Sequence, residues 1–191
     1  MSVPASAFAR LLAVLDRMEI PYPVGGSVAS SAHGVPRTTL DVDLVVDLRP
    51  ERIDEFADDL RGEFYADADI IREAFARGRA ANLIHLGTAW KFDLFPLWRD
   101  EYSRISFARR SFREVQPDRK EAVECAIASA EDTILRKLEW YRAGGGTSER
   151  QCSDLRGVSR AARGRLDLEY MRKWAAELRV GDLLESLLDE E

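Results

Sequence analysis

The chain has 191 residues, 46% of them hydrophobic and 32% charged, with a formal net charge of −6 and two cysteines. That length buries a sizeable core and suits one domain, or a core with a helical extension. The apolar share excludes a disordered chain, and the acidic balance excludes a polycation that coats nucleic acid indiscriminately. Cys125 and Cys152 are too few for a disulfide framework or a cysteine-rich zinc site, so they read as reduced, small buried hydrophobes of a cytoplasmic protein. The apolar run from Leu11 to Leu15 is far short of the roughly 20 residues that span a membrane. Arg10, Asp16 and Arg17 flank it, against a signal peptide.

Phe8, Leu11, Leu12, Leu15 and Met18 fall at helical spacing and predict a first helix over 5–18, ended by Pro21 and Pro23. Tyr22 to Val24 reads as a short strand stopping at Gly25-Gly26, and 27–33 as a small helix packed close to a sheet. Asp41 to Leu48 alternates and is rich in valine, a strand. Pro50 opens a helix with Ile53, Phe56, Ala57 and Leu60 on one face, and 68–76 forms another. Residues 82–86 and 89–95 read as strands joined at Gly87-Thr88, which sets Ile84 opposite Lys91 and Asn82 opposite Asp93. Beyond Arg99 no pattern emerges until a last strand over 122–128. Ser129 and Ser148 then cap two helices, the first stopping at Gly144-Gly145-Gly146, and two more fill 167–178 and 182–188. The expected architecture is α/β (α+β): a small mixed sheet flanked by helices over 1–128, and a helical C-terminal part over 129–191 packed on that core.

The chemistry concentrates in Gly25-Gly26-Ser27, thirteen residues, then Asp41-Val42-Asp43. A Gly-Gly-Ser turn at a strand end, followed by a helix, offers N–H groups and a hydroxyl to phosphate oxygens. Residues two apart on a strand share a face, so Asp41 and Asp43 project together while Val42 and Leu44 turn away. Two adjacent carboxylates repel, and a hard divalent cation resolves the conflict. Singly, such a turn is most often only a turn, and such an acid pair a solvated strand face. In this order and spacing they reinforce each other.

Val24-Gly25-Gly26-Ser27 followed by Asp41-Val42-Asp43-Leu44 resembles the nucleotidyltransferase superfamily of the DNA polymerase β type. Arg37-Thr38-Thr39 resembles its minimal bacterial members, and Lys91-Phe92-Asp93-Leu94-Phe95 matches the later strand that supplies a third carboxylate. Glu131-Asp132 with Lys137, and Ser148 to Gln151 with Asp154, resemble the AbiEii-like branch, which includes toxins of toxin–antitoxin systems. The resemblance implies a nucleotidyltransferase-like core in which Asp41, Asp43 and Asp93 are catalytic and hold two Mg²⁺ ions, with Mn²⁺ able to substitute. Gly25, Gly26, Ser27, Arg37 and Thr39 would bind the nucleotide, Lys91 and Lys137 would neutralise phosphate charge, and Arg150 with Asp154 would position nucleotide or acceptor. An NTP would give its NMP to an acceptor hydroxyl on RNA, protein or a small molecule, releasing pyrophosphate. A cognate antitoxin or toxin is an implied partner, and a membrane is not. A non-catalytic nucleotide-sensing or antitoxin-type module is the alternative, and a phosphotransferase a third option.

Other residues carry bland readings. The hairpin register puts His85 beside Trp90, away from the acids, which is a packing role. His33 lies near the phosphate turn. Arg150 and Asp154, four apart, also fit a surface helix pair. Trp140, one turn from Lys137, is a helix-packing residue or a platform for a base. The basic stretches Arg104, Arg109, Arg110, Arg113, Arg119, Lys120 and Arg156, Arg160, Arg163, Arg165 are solvated faces or flanks for an RNA acceptor.

Overall fold

Alternation along two six-residue stretches builds the centre of the molecule. In β1 (Asp41–Val46) and β4 (Lys91–Pro96), Val42, Leu44, Phe92 and Leu94 are fully buried while the residues between them are partly open. The computed structural model describes residues 4–36, 39, 41–116 and 122–190. β1 and β4 pair in parallel. β3 (Ala81–His85) joins β4 antiparallel and β2 (Phe64–Tyr65) joins β3, giving the order β1-β4-β3-β2. β5 (Ser111–Val115) and β6 (Val123–Ile127) form a separate antiparallel pair.

The extended segment 21–25 joins the two sheets. Val24 bridges Leu44 on one side and Ile127 on the other. Its amide donates to Ala126 O at 2.7 Å, and the Val45 amide donates to Pro23 O at 3.1 Å. The expected strand over 22–24 is thus extended and bonded on both sides, but only Val24 forms bridges.

α1 (Pro4–Arg17) covers the apolar face of the sheet, with the Phe8 ring stacked on Phe92 at 6.3 Å. α3 (Ile53–Asp59), preceded by a 3-10 turn at Pro50–Arg52, and α4 (Ala68–Ala76) add Ile53, Phe56 and Ile71 to the same core. A second cluster gathers Tyr102 of α5 (Glu101–Ala108) with Ile134, Leu135 and Leu138 of α6 (Ala130–Ala143). Leu155 and Val158 of α7 (Glu149–Ala162), Met171 and Trp174 of α8 (Leu168–Glu177), and Leu184 and Leu187 of α9 (Gly181–Asp189) complete it. Ser129 and Ser148 cap α6 and α7, accepting from the amides of Asp132 and Gln151 as expected.

Three elements lay outside the sequence expectations: α5, β5 and the two-residue β2. The β3–β4 register is the expected one, with Asn82 opposite Asp93 and Ile84 opposite Lys91. Its connection is wider than two residues, however. His85 N donates to Trp90 O, and the turn over 86–89 closes with Ala89 at φ 57°. Among the described residues no helix is long and apolar enough to cross a membrane.

α2 (Gly26–His33) carries the phosphate turn at its start and packs against α6 and α7. At its end Gly34 meets backbone: an added Cβ would lie 2.8 Å from Gly157 C and Val158 N. Gly34→Ala should therefore push α7 away and cost about 1–3 kcal/mol. On Gly157 a Cβ would meet Val35 at its Cγ2, N and Cβ at 3.5, 3.6 and 3.8 Å, all ordinary contact. Gly157→Ala should be neutral or stabilise α7 by up to about 1 kcal/mol. Urea midpoints of the two variants check this opposed pair.

Candidate active site

The parallel register sets Asp41 beside Lys91 and Asp43 beside Asp93, while β3 places Asn82 on the other side of Asp93. All five lie on the face opposite the Phe8–Phe92 core, because alternation that buries Val42, Leu44, Phe92 and Leu94 must turn their neighbours outward. Two carboxylates from β1 and one from β4 thus share one surface of the sheet.

The Gly25-Gly26-Ser27 turn closes on this surface. Gly25 N donates to Asp43 O at 2.8 Å. Gly26 has φ 53°, and a Cβ there would fall on the Asp43 carboxylate. Glycine is required twice over, for the left-handed backbone and for the close approach. Ser27 Oγ donates to Thr39 Oγ1 at 2.9 Å. Thr39 Oγ1 in turn accepts from Asp41 N at 3.2 Å and donates to Asp41 O at 3.0 Å. Both hydroxyls are buried, so the two residues expected to bind nucleotide here fix the start of β1. Arg37 lies outside the described residues.

Burial, then the neighbouring Asp93 and Asp41, raises the Asp43 carboxyl above its ordinary range, and Lys137 and Lys91 oppose that rise. Lys91 Nζ is 3.0 Å from Asp93 Oδ2 and 3.9 Å from Asp41 Oδ1. Asn82 Nδ2 donates to Asp93 Oδ1. The hydrogen bond to Asp93 holds the Lys91 ammonium above its ordinary value.

The donor chemistry fits a hard divalent cation. It consists of carboxylate oxygens only, and Asp93 and Asp41 add to the rise that burial gives the Asp43 carboxyl. Among the described residues, however, no group of three or more His, Cys, Asp or Glu side chains is gathered as a closed metal cluster. Asp93 meets Lys91 through one oxygen and accepts from Asn82 through the other.

Lys137 on α6 and Asp154 on α7 pair at 2.8 Å, with only 12% and 8% of their side chains exposed. Lys137 therefore acts on the acids from within an interhelical ion pair. Arg150 lies exposed at the start of α7, four residues before Asp154 on the same helix. Trp140, 52% exposed, sets its ring edge-on to Phe95 at 6.1 Å, two residues beyond Asp93.

Glu131 and Asp132 turn inward. Arg109 meets Glu131 at 3.1 Å and Asp132 at 3.4 Å, Tyr170 Oη donates to Asp132 at 2.6 Å, and Asp167 N donates to Glu131. These acids tie α5, α6 and α8 together. His85 packs edge-on against Phe64 and bonds Thr88, as expected of a packing residue. His33 Nε2 meets Ala128 O at 2.7 Å, and burial lowers its pKa. Burial pushes the Cys125 thiol up to about 12, whereas Cys152 is only half-buried. Cys152 borders a cavity of about 880 Å³ with Val35, Tyr141, Glu149, Arg156 and Arg160, the two arginines coming from the second basic stretch.

No family model and no curated protein matches the chain. Solved structures do resemble it. The solution structure of the antibiotic-resistance factor ANT(2'')-Ia aligns over 97% of both chains at 17% identity, with a TM-score of 0.54. The crystal structure of ANT(2'')-Ia in complex with adenylyl-2''-tobramycin aligns over 91% of this chain and 95% of that one at 18% identity, TM-score 0.53. An antigenic nucleotidyltransferase-like protein from Paracoccidioides brasiliensis aligns over 98% and 93% at 19% identity, TM-score 0.50. The chain has a nucleotidyltransferase-like fold, a small mixed sheet flanked by helices.

The raised Asp43 has a measurable consequence. An acid whose folded pKa lies above its unfolded value costs stability as pH rises past that ordinary value of 3.8, and costs nothing in stronger acid. Asp43→Asn should therefore raise the thermal midpoint at neutral pH. The gain should shrink as the pH falls toward the ordinary value, as scanning calorimetry across that range will show.

Proposed function

We propose that the chain is a divalent-metal-dependent nucleotidyltransferase, moving an NMP from an NTP to an acceptor hydroxyl and releasing pyrophosphate. One observation carries this reading: the parallel register that sets Asp43 beside Asp93, with Asp41 one step along the same face, against the Gly25-Gly26 turn. Asp41, Asp43 and Asp93 are the residues that would hold Mg²⁺, or Mn²⁺ in its place. Bound there, the ions would offset charge on the entering and leaving oxygens of an in-line displacement.

The protein's own groups divide the rest of the work. α2 begins at the glycine turn, where Gly26 closely approaches Asp43, and its first N–H groups suit phosphate oxygens. Asp93, released from Lys91, accepts the proton of the attacking hydroxyl. Lys91 balances triphosphate charge beside Asp43, while Lys137 stays paired with Asp154. Trp140 offers an exposed ring at the edge of the same surface.

For the acceptor, we favour a small hydroxylated molecule. Support comes from the end-to-end likeness to ANT(2'')-Ia, whose complex holds adenylyl-2''-tobramycin. The Glu131–Asp132 pair, one basis of the toxin-type resemblance, is spent on holding helices together.

Incubation with each labelled NTP, Mg²⁺ and pooled hydroxylated small molecules, RNA or protein should yield labelled product and pyrophosphate. Asp41→Ala with Asp43→Ala should lower the rate by about 10²–10³-fold or more while the protein stays folded. Absence of product from every acceptor class, under conditions where NTP binds, would overturn the reading.

A further inference from the structure

Lys91 occupies an unusual position among the acids. It precedes Asp93 by two residues on β4 and stands in register with Asp41 on β1, so the three share one face. Its ammonium touches acids of both strands, Asp93 Oδ2 at 3.0 Å and Asp41 Oδ1 at 3.9 Å. Asn82 holds the second oxygen of Asp93. Lys137, the other lysine whose charge reaches Asp43, is committed to Asp154.

A single ammonium thus neutralises oxygens that a divalent ion would also need. The two charges repel each other and compete for the same atoms. The Lys91 side chain is 41% exposed, and its flexible stem can swing toward solvent without disturbing the core on the opposite face.

We propose that Lys91 is a resident counter-ion of the acidic site, displaced when a divalent cation enters, so that ammonium and metal occupy the carboxylates in turn. This rests on the metal-dependent reading above. Between visits of the metal, Lys91 keeps the strands' acids paired. Once expelled, it stands free beside the site, where it can meet the phosphates that arrive with the metal.

The test is Mn²⁺ binding to the full-length, nucleotide-free protein, followed by electron paramagnetic resonance. Lys91→Gln should tighten Mn²⁺ binding at least about fivefold. Lys91→Arg, which keeps the charge, should behave as the wild type. So should Arg79→Gln, the same charge change at an exposed position ahead of β3. Binding by Lys91→Gln no tighter than the wild type, or equal tightening by Arg79→Gln, overturns the counter-ion role alone. A wild type that binds no Mn²⁺, with or without NTP, overturns the metal-dependent reading as well.

Acylation of the wild type gives a second readout that needs no variant. Mn²⁺ should increase labelling of Lys91 relative to Lys173, which lies over the Trp174 ring on α8. An unchanged or falling ratio overturns the displacement.

Discussion

The parallel pairing of β1 with β4 is the constraint on which the rest of the structure depends. It obliges Asp43 to lie beside Asp93. At an effective dielectric near 20, two such charges about 5 Å apart repel by roughly 3 kcal/mol. The opposite face more than offsets that. Val42, Leu44, Phe92 and Leu94 are each fully buried, and such side chains contribute about 1.5–3 kcal/mol apiece. Because side chains alternate, a one-residue slip would bury the acids and expose the hydrophobes, so the core that stabilises the sheet also fixes the charge conflict in place.

Everything near the acids is arranged around that conflict. Segment 21–25 is held by β1 and β6 at once, so the glycine turn cannot drift from Asp43 without breaking backbone hydrogen bonds on both sides. α2 leaves that turn and is pinned at its far end by the backbone contact of Gly34 with α7. The helical cluster built from α5 to α9 thereby positions the start of α2 through the body of the helix. It also delivers Lys137, whose interhelical pair with Asp154 brings a nearly buried positive charge to bear on Asp43.

The central strands and their shared face were legible because alternation is a local signal. DVDLVV and KFDLFP each announce which residues turn inward, and the Gly87-Thr88 turn fixed the β3–β4 register although the loop itself is wider. The serine caps were legible for the same reason, since each bond spans three residues. α5 was not: Tyr102, Ser103 and Phe107 form its buried side, a pattern that hides an apolar helix face behind a serine. Arg109 looked like part of a basic surface because its partners, Glu131 and Asp132, stand more than twenty residues away and on another helix. The Lys137–Asp154 pair depends likewise on how α6 and α7 cross, and no spacing encodes that.

Two closed sets of polar contacts distinguish this site from an open collection of ligands. Ser27, Thr39 and the Asp41 backbone satisfy one another, and Lys91, Asp93 and Asn82 do the same. Buried hydroxyls and carboxylates left without partners would cost folding free energy. The sequence therefore supplies internal partners to groups whose chemistry also suits phosphate and metal. A ligand entering such a site exchanges one set of contacts for another, so its affinity is the difference between the two rather than the sum of its own. Under the proposed function, selectivity would follow from the same exchange: a ligand must repay the broken internal pairs by bringing both a concentrated positive charge and its own acceptors. On that reading a nucleotide accompanied by a divalent cation would meet that requirement, while a bare anion or a monovalent cation would meet only half of it.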